Sequence, residues 1–528
     1  MEDNKSLGKK HPDSTATSDN HDGCSVVAEH TQEVPVNFGL LSLTGLGIII
    51  GVVWPASGGS IQVAIFNGGS PGMLHATYAR LTATDTATGV LYEFIVVSFF
   101  YFFVAASLAE LASAMPSSAG VYYWASITPG KRYGRVIGFF AGWWNYLGWI
   151  CAGASMAAIW SNSIIQIYAL KHPDYIVKEV HVFAVFVVST WLACFSVCYG
   201  GRAMPLLNQF GIYWLLIGLL ITIVVLAAVP LRSGGSGHAT SSFVWLEWQA
   251  DLGYPNIIVF LGGMLNGAYS VGCPAAVSHL AEEIPRPQRN VPLAMGLQVV
   301  TGFITGFSYL IALMYSIHSY DRIFASQFPL AEIYLQATGS ADGTICLLIL
   351  MQTCIGLSIV GLYITCGRTL WALSRDGATP WPSVFSNFSL RFDAPINATM
   401  ASAVLVTLMG CIYVASKTAF NAIIGSFVLM SSSAYTAAVL PHLLTGRRNV
   451  VYGPIRLGKK LGFVVNAIAS IYMVIAFIIY CLPFSLPVTA QNMNYACLVW
   501  GGSTLLLCIY WLWKGRHGYT GPIREINN

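Results

Sequence analysis

A chain of 528 residues in which 55% are hydrophobic and only 9% charged lies far from the soluble average, where charged residues make up about a quarter. Apolar stretches of about 20 residues, the length a bilayer requires, recur from Val36 almost to the C-terminus, so the chain reads as an all-α polytopic membrane protein. The net charge of +4 excludes little by itself, because in a membrane protein the placement of Lys and Arg carries the information.

Residues 1–34 are polar and aperiodic and are expected to form a disordered cytosolic tail. They lack the apolar core of a cleavable signal peptide, so the first span itself must direct insertion. About twelve spans follow, near 37–66, 90–112, 136–160, 182–200, 206–230, 255–280, 292–317, 343–372, 395–414, 419–441, 463–483 and 495–513. They make residues 35–515 one transmembrane domain, with a cytosolic tail over 516–528. With the N-terminus in the cytosol, twenty of the 26 basic residues fall on the cytosolic side. Arg80, Lys171, Lys178, Arg232, Arg322 and Lys417 are the remainder. This is a strong positive-inside bias, and an even span count places both termini in the cytosol. The sequons at Asn4, Asn387 and Asn397 then face the cytosol and should be unused.

Span 1 (FGLLSLTGLGIIIGVVWPASGGSIQVAIF) and span 6 (NIIVFLGGMLNGAYSVGCPAAVSHLAEE) both carry Gly and Pro near the middle of an apolar run. Glycine costs about 1 kcal/mol in a helix interior and proline about 3, and freed backbone groups survive in lipid only against protein or a water-filled cavity. Each break alone fits close helix packing as well as a ligand site. Two breaks at matching places in successive groups of five spans point to an inverted-repeat secondary transporter.

The carboxylates noticed near cytosolic span ends are Glu110 and the pair Glu282–Glu283. They read either as hydrated helix ends or as gating and coupling groups, since intramembrane carboxylates are costly. No voltage-sensor helix, selectivity-filter loop, P-loop or nucleophile elbow is present, which argues against a channel, a pump or a membrane enzyme. The 12 cysteines lack metal-type spacing and read as small buried hydrophobes. No metal, no cofactor and no nucleic acid is expected.

SLAELASAMPSSAGVYYW (107–124), GFFAGWWNYLGW (138–149), GAYSVGCPAAVSHLAEEIPRPQRNVP (267–292) and WALSRDGATPW (371–381) resemble the amino acid–polyamine–organocation superfamily, and within it the fungal amino acid, choline and GABA permeases. The resemblance covers Val36 to Trp513. It implies a five-plus-five inverted repeat with helices 1 and 6 broken and two extra helices, alternating access, and proton-coupled import of a small zwitterion or organic cation across the plasma membrane. It further implies that Gly47, Ile50 and Gly51 form the span 1 break that meets the substrate carboxylate. Asn266, Tyr269, Ser270 and Gly272 correspond to the unwound part of span 6. Trp143, Trp144, Asn145 and Tyr146 of span 3 read as an aromatic box or as interfacial aromatics, and Ser431–Tyr435 of span 10 as pore lining or helix glue. Val53 stands where many relatives have a small residue, and Ala275 where many have an acid. Span 5 carries no Lys where some members place a basic residue, so no proton carrier is identified.

Relatives pass directly from a GGSPG-like turn into span 2, whereas here Met73–Gly89 intervenes. This segment is either a loop insertion or the translation of a retained short intron. The rival to a permease is a non-transporting nutrient sensor on the same scaffold, which only the long N-terminal tail favours.

Overall fold

The computed structural model describes residues 40–65, 87–232, 235, 237–246, 252–415, 418–490 and 492–522. Among these, the β-structure consists of an isolated bridge between Ser389 and Ala394. The spans are span 1 (Leu40–Gly51, Val53–Gly59 and Ile61–Ile65), span 2 (Ala87–Ala114), span 3 (Gly134–Lys171), span 4 (Glu179–Tyr199) and span 5 (Met204–Ala228). Next come span 6 (Asn256–Val271, then a 3-10 segment Pro274–Glu283), span 7 (Pro287–Met314), span 8 (Ala341–Arg375), span 9 (Ile396–Ala415) and span 10 (Thr418–Leu444). Span 11 (Lys459–Ile479) and span 12 (Ala496–Tyr510) complete the set. Among the described residues ten spans are long and apolar enough to cross a membrane; spans 1 and 9 supply the two shorter apolar stretches, Leu43–Gly59 and Ile396–Ile412.

The packing carries an internal symmetry. Span 1 packs on spans 5 and 7 as span 6 packs on spans 10 and 2; span 3 packs on spans 4, 9 and 10 as span 8 packs on spans 9, 4 and 5. The pairs 2–7, 3–8 and 4–9 pack on each other, as a five-span shift demands. Five being odd, the two repeats run oppositely through the bilayer. Burial ranks the spans: the apolar windows of spans 3, 6 and 10 are 72%, 72% and 78% buried, against 11% for span 12. The core is therefore built from the repeats, and span 12 lies at its rim.

The N-terminal tail and most of Met73–Gly89 lie outside the described residues, although Ala87–Gly89 form the first turn of span 2. The expected C-terminal tail is partly structured. Arg516–Gly518 continues the helix, and Tyr519 is buried, its hydroxyl donating to Tyr122 Oη at 2.9 Å, which donates in turn to Asp376 Oδ2 at 2.8 Å.

Candidate functional site

Span 1 breaks at Val52, one residue past Gly51. Its φ of 24° and ψ of 48° place a β-branched residue in the region that favours glycine. Pro55, three residues on, has no N–H to return to the Gly51 carbonyl. The Ser358 hydroxyl of span 8 donates to the Ile50 carbonyl at 3.4 Å. Gly47 and Gly51 permit a close approach: a Cβ at Gly47 would fall 2.5 Å from Val277 Cγ1, and one at Gly51 2.9 Å from Gln298 Nε2.

Span 6 breaks at Gly272 and Cys273, where the α-helix gives way to the 3-10 segment that begins with Pro274. Side chains from two other spans reach the freed carbonyls. Tyr435 Oη donates to the Gly272 carbonyl at 3.1 Å, and Gln298 Nε2 to the Cys273 carbonyl at 3.0 Å. The second half of span 1 and the first half of span 6 are also tied together: the Ser57 hydroxyl donates to Ser270 Oγ at 2.9 Å and the Ser60 hydroxyl to Asn266 Oδ1 at 2.5 Å. From span 3, Ser155 Oγ pairs with Tyr269 Oη at 2.7 Å.

Aromatic faces close around the span 6 break. Phe427 lies 5.8 Å from the Tyr269 ring and 6.0 Å from Trp149. The Tyr101 hydroxyl would stand 3.5 Å from a Cβ at Gly272, and Tyr101, Trp149, Tyr269, Phe427 and Tyr435 are all buried. Backbone carbonyls, hydroxyls and ring faces thus converge where the two broken spans meet.

The structure brings Gly47, Ile50, Gly51, Asn266, Tyr269, Ser270 and Gly272 together at this place. Trp144 lies elsewhere: its Nε1 donates to Thr504 Oγ1 at 2.9 Å and its ring stacks on Trp500 at 5.8 Å, both of span 12. Trp143 Nε1 donates to the Ala378 carbonyl and Tyr146 pairs with Ser402, so these span 3 aromatics do not form a box. Asn145 does face span 6, with Nδ2 3.4 Å from His279 Nε2.

Glu110 and Glu283 are not hydrated helix ends. Both Glu110 oxygens accept from Arg447 Nη2, at 2.6 and 2.7 Å, and Oε1 also accepts from the Leu457 amide at 2.9 Å. Glu283 is held by Arg368 at 2.5 and 2.9 Å. Each pair is almost fully buried, the environment in which an ion pair needs its partner most. Glu282 accepts from the Ser118 amide and hydroxyl at 3.1 and 2.6 Å and lies 3.6 Å from Arg375. The 3-10 half of span 6 is thereby fastened to span 8 and to the loop before span 3.

Sequence reasoning missed Gln298, Trp149, Phe427 and His279. Trp149 follows Asn145 by four residues and so shares its helix face. Gln298 is an isolated polar residue in apolar surroundings, LAMGLQVV, and that isolation was the available signal, whereas His279 sits among polar neighbours in SHLAEE and offered none.

A family model for amino acid permeases matches residues 36–503. The chain is 30% identical over 497 residues to the choline transporter of Saccharomyces cerevisiae, covering 93% of this chain and 84% of that protein. It is 26% identical over 468 residues to an amino-acid permease of Arabidopsis thaliana, covering 83% and 87%. Among solved structures, the manganese transporter of Eremococcus coleocola matches with a TM-score of 0.55 at 13% identity, covering 92% of this chain and 98% of that one. At that identity the likeness bears on the fold alone.

Proposed function

Because the chain belongs to the amino acid permease family and is a multi-pass membrane transporter of small molecules, we propose that it imports a small amino-containing solute, an amino acid, GABA or choline, by proton symport. In this reading it works at the plasma membrane with both termini in the cytosol, and alternating access exposes the junction of spans 1 and 6 first to one side and then to the other. The observation that carries the proposal is the convergence at that junction. Carbonyl and hydroxyl oxygens suit an amino or ammonium group, and the Tyr269, Phe427 and Trp149 rings suit its positive charge. A cation against such a face gains about 0.5–2 kcal/mol. The aromatic cluster and the likeness to a choline transporter make choline the first solute to test.

The test is uptake of radiolabelled choline, GABA and a panel of amino acids into permease-deficient yeast expressing the full chain, with and without an inward proton gradient. Accumulation that follows the gradient supports the symporter. Saturable binding without accumulation, at demonstrated surface expression, replaces it with the sensor reading.

A further inference from the structure

The 3-10 half of span 6 carries one histidine, His279, buried to 1% exposure between span 3, span 8 and the loop before span 3. Its Nδ1 lies 2.9 Å from the Ser118 carbonyl, a group that can only accept, so Nδ1 bears the proton. Thr369 Oγ1, whose own hydrogen goes to the Thr365 carbonyl at 2.7 Å, is a second acceptor at 3.4 Å from Nδ1. Nε2 is therefore the lone-pair side of a neutral ring, and it faces the Asn145 amide. The Trp149 ring stands edge-on to the imidazole at 6.1 Å and also touches Phe427, so His279 adjoins the aromatic cluster on its cytosolic side. The packing is close: a Cβ at Gly120, whose φ is 53°, would fall 2.5 Å from Ser278 Oγ and 3.2 Å from His279 Cε1.

The surroundings leave little to stabilise an imidazolium in this arrangement. From span 8, Arg368 precedes Thr369, whose hydroxyl lies against the ring, and its partner Glu283 is already committed to it. Glu282 of the same segment is engaged by Ser118 and Arg375. Span 3 presents Asn145 and Trp149, which do not titrate, and span 7 presents the neutral Gln298 beside Val277, while Arg289 in its first turn is exposed. On span 2, Glu110 is bound to Arg447, Tyr101 lies by Gly272, and Glu93 lies farther out against Gly263. The described part of span 1 has no titratable side chain.

We propose that His279 is the proton-coupling group of the transporter and that its neutral form latches the cytosolic gate. A proton arriving from the substrate side, past Asn145 and Trp149, binds at Nε2. It turns an acceptor into a donor opposite the Asn145 amide and places a positive charge against Arg368. The closed arrangement of Pro274–Glu283 against spans 3 and 8 is weakened, and the gate opens inward. Nε2 then gives the proton to cytosolic water, and the neutral ring restores the closed gate for the return step. The inference rests on the symport reading and adds the residue that carries the proton.

The experiment uses the full chain, tagged with a fluorescent protein, in permease-deficient yeast. It measures uptake of radiolabelled choline, or of whichever solute in the panel the wild type accumulates, and counterflow exchange of that solute without a gradient. His279→Gln preserves a donor for Ser118 and an acceptor for Asn145 but cannot take the proton. We expect it, at wild-type surface fluorescence, to lose both accumulation and counterflow exchange at every pH, because a gate latched by the neutral form stays shut. Asn145→Asp places a carboxylate beside Nε2 and is expected to move the pH profile of uptake to the alkaline side. If the wild type shows no gradient-dependent accumulation of any solute, the symport reading falls. If the wild type accumulates and H279Q does so equally with an unchanged pH profile, the histidine assignment is overturned while symport stands. Should H279Q fail to reach the membrane, the N145D profile decides: an alkaline shift supports the assignment and an unshifted profile overturns it.

Discussion

Gln298 of span 7 donates from Nε2 to the Cys273 carbonyl at 3.0 Å, and its buried Oε1 has no hydrogen-bond partner among the described residues. The same side chain packs over Gly47 and Gly51, so one residue touches both broken spans. Leucine at this position leaves the Cys273 carbonyl without its donor, a loss of about 1–3 kcal/mol for a buried group. Q298L is expected to reach the cell surface and to transport about five- to a hundredfold more slowly if that loss falls on the transport barrier, since 1.36 kcal/mol in a barrier is a factor of ten. Uptake normalised to surface fluorescence checks this. Rates equal to wild type would remove Gln298 from the site.

The glycines of span 1 make a graded prediction. At Gly47 a Cβ meets Val277 Cγ1 at 2.5 Å, on a stiff β-branched side chain, whereas at Gly51 it meets the end of the flexible Gln298 side chain at 2.9 Å. Gly47→Ala should therefore impair uptake more than Gly51→Ala. The reverse order would show that Gln298, not Val277, is the less yielding neighbour.

The aromatic cluster separates two regions of span 3. Trp149→Leu and Phe427→Leu should raise the KM for a cationic solute by up to about tenfold, from the loss of about 0.5–1.4 kcal/mol of cation–π attraction. Trp144→Phe, which alters only the seam with span 12, should leave KM unchanged. A KM effect at Trp144 equal to that at Trp149 would contradict the placement.

The buried Glu283–Arg368 pair invites a double-mutant cycle. Removing either partner strands a charge and is expected to cost about 3–5 kcal/mol, whereas replacing both with apolar residues of similar size should recover most of that loss. Thermal unfolding of the purified protein in detergent reads out E283L, R368M and the double variant. Additive losses would show that the two charges are not energetically coupled.

Near the C-terminus, burial pushes the Tyr122 and Tyr519 hydroxyls up from their ordinary value, with the Asp376 carboxylate acting in the same direction. Both therefore stay protonated through the neutral range and keep the Tyr519–Tyr122–Asp376 chain intact. A group whose folded value is raised contributes stability that is full below its unfolded value, about 10 for tyrosine, and lost as pH rises beyond it. Tyr519→Ala should lower thermal stability equally at pH 6 and pH 8; a difference between the two would show that another group titrates there.

The sequence by itself determined the membrane architecture. Span length and apolarity are local properties dictated by the bilayer, and each predicted span overlaps an observed helical element, closely at 419–441 against Thr418–Leu444, whereas span 3, expected over 136–160, runs on to Lys171. The Gly and Pro residues of spans 1 and 6 marked both breaks for the same local reason, and their neighbours Asn266, Tyr269 and Ser270 are where the two spans meet. Only the tertiary structure decided which side chains from other spans turn toward those breaks. Trp144 and Asn145 are adjacent in sequence, yet helical rotation sends one to span 12 and the other to His279. The same holds for charge: Glu110 finds Arg447 and Glu283 finds Arg368 across 337 and 85 positions of chain. Pairings at such separations depend on how the helices pack, and no local pattern encodes them.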